Sequence, residues 1–170
     1  LGGCYYTIAE GNATFGYSMD FYDQGEMGIG SFKKGGAYVT SVSSPAGFYR
    51  EFALEAGKTY EISFHSFTQT SSYSDYSYTV KFIAGATADT YVDSVNITET
   101  LWTKYATYFT APADGIYNVG LYAAPNSGSS TMVFDEFGVK EVTCIPPVKA
   151  EIVAVTPTTV TFDMHATAAQ

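Results

Sequence analysis

Basic side chains are scarce in this sequence. Its 170 residues include 8 Lys and Arg against 17 Asp and Glu, and the formal net charge is −9. Recognition of nucleic-acid phosphates requires clustered Lys and Arg, and attraction to anionic membranes requires the same side chains. No apolar run approaches the roughly 18 residues of a membrane-spanning helix. We therefore expect no nucleic-acid partner and no membrane insertion.

Cysteine and histidine are also rare, with two of each. A zinc site is not expected, because His65 and His165 lie on separate segments and the two cysteines are far apart in the chain. Cys4 and Cys144 lie near the two ends of the main body. A disulfide between them would close a very long loop and stabilise the fold by about 5 kcal/mol in the chain-entropy model. Two free thiols are the alternative, and the sequence leaves both open.

The common catalytic signatures are missing. The sequence has no Gly-x-Ser-x-Gly nucleophile elbow, no His-Glu-x-x-His helix and no phosphate-binding glycine loop. A carboxylate pair for glycoside hydrolysis could be drawn from Asp23, Glu26, Glu51 and Asp75, but any acidic β protein offers as much. We therefore expect that the chain is not an enzyme.

Aromatic residues, in contrast, are abundant, with 15 Tyr and 12 Phe. In residues 58–65 the apolar Tyr60, Ile62 and Phe64 alternate with polar residues, which is typical of a half-buried strand. Similar runs occupy residues 5–9, 37–42, 48–54, 76–84, 105–110, 116–123 and 131–142. Short strands separated by turns rich in Gly, Pro, Asp and Asn predict an all-β fold, a jelly-roll β-sandwich of two antiparallel sheets.

The domain organisation follows from a change near residue 145. Ile145-Pro146-Pro147 cannot continue a central strand and is typical of a linker. We therefore assign residues 1–144 to the sandwich and 145–147 to a proline-rich linker. Residues 148–170 contain two further apolar runs, too few for an independent core. They are interpreted as the first strands of a truncated second sandwich. Within the first domain, residues 20–36 and 69–75 are expected to be loops.

Three segments together resemble a known family. They are FALEAGKTYEISF at 52–64, LWTKYATYFTAPADGIY at 101–117 and VFDEFGVK at 133–140. They are similar to the jelly-roll modules of surface and secreted proteins of Bacteroidetes-type bacteria, related to the cleaved-adhesin domains of gingipains and to galactose-binding-like carbohydrate-binding modules. The resemblance covers roughly residues 37–142. The tail after Pro147 resembles the start of a fibronectin-type-III or immunoglobulin-like domain. The resemblance implies a non-catalytic binding module.

Candidate ligand-binding residues are exposed aromatic rings beside polar groups, because rings stack on sugar faces while amides and carboxylates bind hydroxyls. The polar stretch 71–76 supplies Tyr73, Asp75 and Tyr76, with Tyr78 following; the alternative is that Tyr76 and Tyr78 begin a strand and pack on the sheet. A second candidate pairs Tyr122 with Asn126. Trp102, the one tryptophan, is expected to pack in the core or at its rim.

A structural calcium ion is a further expectation. In the resembling modules the acidic residue of the last strand often binds such an ion, and Asp135 occupies that place. Asp20, Asp23 and Glu26 in the glycine-rich loop could supply more oxygen ligands, although their spacing matches no known calcium loop. The alternative is a solvated acidic loop with Asp135 hydrogen-bonded to the backbone.

The sequence therefore predicts a non-catalytic carbohydrate-binding or adhesion module of a larger bacterial protein. Ser, Thr, Tyr and Asn take the place of Lys and Glu as polar residues, which favours an extracellular or cell-surface location. The expected partners are a glycan or host-surface protein and neighbouring domains of the same polypeptide. The rival hypothesis is a spacer that orients neighbouring domains. A glycoside-processing enzyme is the third.

Overall fold

The computed structural model describes residues 6–9, 14–18, 36–42, 45–68, 70–71, 74–75, 77–126, 129–144, 149–155 and 160–165. The regular elements within these ranges are all strands. None of the described residues belongs to a helix of the length and apolarity that crossing a membrane requires.

Two five-stranded sheets form the body of the molecule. The first sheet has the order β1-β4-β11-β8-β9, with strands Tyr6–Ala9, Ala46–Leu54, Gly115–Pro125, Tyr78–Gly85 and Tyr91–Ile97. The second has the order β10-β5-β12-β3-β2, with strands Thr103–Thr110, Thr59–Phe67, Ser129–Val142, Gly36–Val42 and Thr14–Ser18. Neighbouring strands in both sheets are antiparallel. The predicted two-sheet jelly-roll β-sandwich is thereby confirmed.

Alternation places the core between the sheets. Along β5, Tyr60, Ile62 and Phe64 are buried while Glu61, Ser63 and His65 are half-buried on the other side, as the sequence predicts. Phe82 on β8 packs against Phe64 with ring centroids 5.4 Å apart. Each large apolar side chain removed from water in this way stabilises the fold by about 1.5–3 kcal/mol.

Phe134 of β12 and Tyr78 of β8 join this core in an edge-on contact, with ring centroids 6.2 Å apart. The Tyr78 hydroxyl lies 2.6 Å from Ser66 Oγ and donates to the Phe67 carbonyl at 2.9 Å. The idea that Tyr78 is an exposed sugar-stacking ring is therefore wrong, because its polar end is already bound inside the sandwich. Trp102 is 4% exposed and packs edge-on against Phe67, as expected.

The predicted turns also form. The backbones of Gly57 and Lys58 pair with Ala111 through two hydrogen bonds, which tie the β4–β5 turn to the β10–β11 connection. Asp114 accepts a hydrogen bond from the Ala56 amide at 2.7 Å. The ammonium group of Lys58 lies 2.9 Å from Glu55 and 3.1 Å from Glu141, and these carboxylates raise the pKa of Lys58 well above its ordinary value.

Some elements differ from the sequence expectation. Strands β2 and β9 were not predicted; in β9 only Ile97 is buried, so this edge strand lacks a clear apolar alternation. The segment expected to be a loop at 69–75 contains a two-stranded pairing of β6 (Thr70–Ser71) with β7 (Ser74–Asp75). In the tail, β13 (Lys149–Val155) pairs with β14 (Val160–His165) in a sheet of their own. The division into domains stays a prediction.

Two glycines allow β4 and β11 to lie unusually close together. A Cβ atom added to Gly120 would lie 2.0 Å from the Phe48 carbonyl oxygen, and one added to Gly47 would lie 2.3 Å from that of Leu121. Backbone atoms of a paired strand cannot move aside as a flexible side chain can. The centre of the first sheet therefore depends on glycine at both positions.

We expect Gly120→Ala to lower the free energy of unfolding by about 2 kcal/mol or more, because the methyl group must push the two strands apart. Gly115→Ala is the matched control on the same strand, since its added Cβ would meet nothing closer than Tyr117 at 3.7 Å. Urea denaturation of both variants measures the difference. Equal stability of the two would contradict the close approach.

Candidate functional site

Tyrosine side chains line the outer face of the first sheet. Cross-strand partners share a face of a sheet, so the register identifies which residues are neighbours. One row crosses all five strands in the order Tyr6, Tyr49, Gly120, Ile83 and Tyr91. At a spacing of about 4.8 Å per strand the row is about 19 Å long. It thus runs from one edge of the sheet to the other.

A second row lies beside the first, two residues away on β1, β4, β11 and β8 and three residues away on β9, where the register shifts. It contains Ile8, Gly47, Tyr122, Lys81 and Ser94. Tyr122 is opposite Gly47, and Tyr49 in the first row is opposite Gly120, so a glycine faces a tyrosine at both positions. On the side of the glycine, the space beside each ring is consequently clear of a cross-strand side chain.

The four rings form two pairs. Tyr6 stacks on Tyr49 with centroids 5.0 Å apart and planes at 20°. Tyr91 and Tyr122 lie 5.5 Å apart, and the Lys81 ammonium is 4.7 Å from the Tyr91 centroid and 6.0 Å from that of Tyr122. Tyr6 is 49% exposed and Tyr91 is 40% exposed. We call this surface, defined by the four tyrosines with Gly47, Gly120, Ile83 and Lys81, the tyrosine face.

Ile83 lies beneath the outer surface of this face. It is fully buried although it belongs to the row that faces away from the core. The large side chains next to it on this face are Tyr91, in register, and Tyr122, on the diagonal. Apolar burial therefore continues outside the sandwich core, at a position whose register neighbours are tyrosines.

Polar groups occupy one end of the tyrosine face. Thr79 Oγ1 lies 2.7 Å from Asn96 Oδ1 and 2.7 Å from Asn126 Oδ1, and its single proton serves one of these oxygens at a time. Asn126 Nδ2 donates to Ser77 Oγ at 3.2 Å. Thr79 is two residues from Lys81 on β8, so this cluster adjoins the tyrosines. The predicted pair Tyr122 and Asn126 is thus brought to one surface.

The outer face of the second sheet has a different character. Lys104 Nζ binds Glu61 Oε1 at 2.5 Å, and Tyr108 donates to the same carboxylate at 3.4 Å. The hydrogen bond from Lys104 is the largest cause of a lowered pKa at Glu61. The charges of Lys104 and Glu61 are already paired with each other, which leaves less of them for a ligand to recognise.

Asp135, the predicted calcium ligand, lies on this second face. It is opposite His65 at a bulge in β12, where Glu136 adopts a left-handed conformation with φ of 50°. Asp135 Oδ1 accepts a hydrogen bond from the Glu136 amide at 2.7 Å. Burial raises the pKa of the Asp135 carboxyl. Within the described ranges no three His, Cys, Asp or Glu side chains are gathered as a metal site requires.

Several predicted site residues lie outside the described residues, namely Tyr73, Tyr76, Asp20, Asp23 and Glu26. For Asp75 the structure describes only its strand, β7. Binding by Tyr73, Asp75 and Tyr76 therefore stays a prediction, and so does a calcium ion held by Asp135 with the glycine-rich loop. The pairing of Cys4 with Cys144 also stays a prediction, because Cys4 is not described.

Sequence reasoning missed Tyr6, Tyr49, Tyr91 and Lys81. Tyr49 alternates with the core residue Phe48 on a strand that the sequence did predict, so its outward position could have been read from the alternation. Tyr91 could not, because β9 was not recognised. The row itself depends on the strand order of the sheet, which no local pattern contains.

Comparison with known proteins shows the fold. No protein-family model matches the chain, and no curated protein matches it. Among solved structures it is similar to TmCBM61, determined in complex with β-1,4-galactotriose, with a TM-score of 0.52 and 10% identity over 81% of this chain and 88% of that one. The fold is the jelly-roll sandwich of carbohydrate-binding modules.

Two further structures support the same fold. The CBM22-1 xylan-binding domain of Xyn10C from Paenibacillus barcinonensis has a TM-score of 0.50 and 14% identity, covering 81% of this chain and 86% of that one. An exo-β-agarase has a TM-score of 0.55 and 9% identity, and the match covers 82% of this chain but 24% of the agarase. The likeness to the agarase therefore concerns one part of that enzyme.

We expect the imidazole of His65 to titrate below its ordinary pKa of 6.5, because burial disfavours its charged form more than the nearby Glu136 carboxylate, 3.5 Å away, favours it. NMR titration measures this, and His65→Gln assigns the resonance. By linkage, the unfolded chain binds the proton first, so this group lowers stability as the pH falls below about 6.5. A midpoint above 6.5 would show that attraction to Glu136 prevails.

Proposed function

We propose that this chain is a non-catalytic carbohydrate-binding module whose ligand lies on the tyrosine face. The observation that carries the proposal is the pair of tyrosine clusters, Tyr6 with Tyr49 and Tyr91 with Tyr122, at the two sides of a sheet face with glycines between them. The fold shared with modules that bind galactotriose and xylan supports it.

The chemistry of the face suits a sugar chain. A pyranose presents C–H groups on its faces and hydroxyls around its rim, so it needs flat apolar surfaces together with hydrogen-bonding groups. Exposed tyrosine rings supply the first requirement and add phenolic hydroxyls. The amide and hydroxyl cluster of Thr79, Asn96 and Asn126 supplies the second at one end. A sugar chain lying along the row would contact both tyrosine pairs.

The distribution of carboxylates favours binding over catalysis. Glycoside hydrolysis uses two carboxyl groups that flank the scissile bond. In the described strands of the first sheet, Glu51 is the one acidic residue in register with the outer face, opposite Asn118. Asp93 is opposite Phe82, and its carboxylate accepts a hydrogen bond from Thr107 on the other sheet at 2.7 Å. In these described strands, therefore, no second carboxylate accompanies Glu51 on the outer face.

We further propose that the module belongs to a larger polypeptide that acts outside the cell or at its surface. A tandem CBM22-1–CBM22-2 structure has a TM-score of 0.51 to this chain, which covers 44% of it, so similar sandwiches occur side by side. Such a setting favours attachment of the whole protein to polysaccharide or to host glycans. A structural calcium ion remains part of the proposal, and a melting shift on adding chelator tests it.

We expect Tyr49→Ala and Tyr122→Ala each to weaken polysaccharide binding about tenfold, since loss of one stacked ring removes roughly 1 kcal/mol or somewhat more. Affinity electrophoresis on xylan, β-1,4-galactan and a wider polysaccharide panel identifies a ligand, and calorimetry with its oligosaccharides measures affinity. The double variant should abolish detectable binding while the melting temperature shows that the sandwich still folds.

Tyr108→Ala is the matched control, because Tyr108 is also half-buried but lies on the outer face of the second sheet. It should bind as the unaltered protein does. If Tyr108→Ala weakened binding and Tyr49→Ala did not, the ligand would lie on the second sheet. A panel without any binding would favour a spacer instead.

A further inference from the structure

Lys81 is distinctive because it is the cation of the tyrosine face. Its ammonium is positioned above Tyr91 and near Tyr122 by cation–π contacts. No carboxylate among the described residues forms an ion pair with it. The other two lysines with close partners differ: Lys58 is bound by Glu55 and Glu141, and Lys104 by Glu61. Among the residues that the structure describes, the charge of Lys81 is thus held by aromatic rings and not by a carboxylate.

The positive charge of Lys81 stands out because the chain as a whole is acidic. The chain carries a formal net charge of −9, so a cation on the candidate ligand surface runs against the overall balance. Glu51, the acidic residue on the same face, is two strands away and four residues further along, about 16 Å between Cα atoms at ordinary sheet spacings. That distance exceeds the Debye length of about 8 Å at physiological salt. The negative charge of Glu51, which would repel an anionic ligand, is therefore largely screened at Lys81.

We propose that Lys81 determines specificity and directs the tyrosine face to polysaccharides that carry anionic groups on their pyranose rings. This inference rests on the proposed function. Because the Lys81 ammonium already lies over the Tyr91 ring, a pyranose stacked on the neighbouring Tyr122 would bring its substituents beside that ammonium, whose three protons are all donors. A carboxylate or a sulfate ester accepts them as a charge-assisted hydrogen bond, which is stronger than one to a neutral hydroxyl.

The experiment compares the charged and neutral forms of two backbones. Polygalacturonate and its methyl ester test the carboxylate, while carrageenan and desulfated carrageenan test the sulfate ester. Binding to all four is measured at 0.15 M salt for the unaltered protein, Lys81→Met, Lys81→Arg and Lys140→Met. Methionine keeps an apolar stem over the rings without the charge. Lys140 is an exposed lysine on the outer face of the second sheet, opposite Glu61, and serves as the control.

We expect the unaltered protein to prefer one charged form over its neutral partner. Lys81→Met should bind that form about fivefold more weakly, as expected for loss of a solvated ion pair, and should therefore lose most of the preference over the neutral form. Lys81→Arg and Lys140→Met should keep the preference. Which of the two pairs shows the preference identifies carboxylate or sulfate as the ligand group.

Two results would overturn this inference and are distinguishable from failure of the proposed function. If the protein binds neutral polysaccharides through Tyr49 and Tyr122 but shows no charge preference, the binding face stands and the role of Lys81 is refuted. The same holds if Lys81→Met retains the preference. If no polysaccharide binds and Tyr49→Ala changes nothing, both proposals fail together.

Discussion

The close approach of β4 and β11 is the constraint on which the candidate site depends. Gly47 and Gly120 lie where a side chain would strike the backbone of the partner strand, so the two strands can pair at this distance only with glycine there. Phe48 and Leu121, the neighbours of these glycines, enter the core. Tyr49 and Tyr122 consequently face outward, each opposite a glycine. Because side chains alternate along a strand, the positions of these two glycines also fix which neighbouring side chains face the core and which face outward.

The two outer faces of the sandwich show how the same scaffold supports different surface chemistry. On the second sheet, Lys104 and Glu61 neutralise each other, and exposed ion pairs of this kind add little to stability. On the first sheet, aromatic rings pack on one another, and Ile83 in the same row is fully buried. An exposed apolar and aromatic surface of this kind generally marks a binding site.

Much of the fold could be predicted from local patterns. Alternation along residues 58–65 correctly placed the core residues Tyr60, Ile62 and Phe64, because a strand with one buried face has a period of two. The edge strand β9 escaped prediction since little of its side-chain area is buried. Tyr78 was misjudged as a possible binding residue for a related reason: a tyrosine with a satisfied hydroxyl can be buried as readily as phenylalanine.

The sequence by itself determined the all-β class, the acidic charge and many of the turns, and it offered Tyr122 with Asn126 as a candidate site that stays a prediction. It could not determine the tyrosine face, because Tyr6, Tyr49, Tyr91 and Tyr122 come from four strands that are far apart in the chain. Only the strand order β1-β4-β11-β8-β9 and its register bring them together. Backbone hydrogen bonds are common to every sequence, so the order is set by how side chains of distant strands pack in one core, which no local pattern contains. The tertiary structure alone therefore decided which tyrosines share a surface.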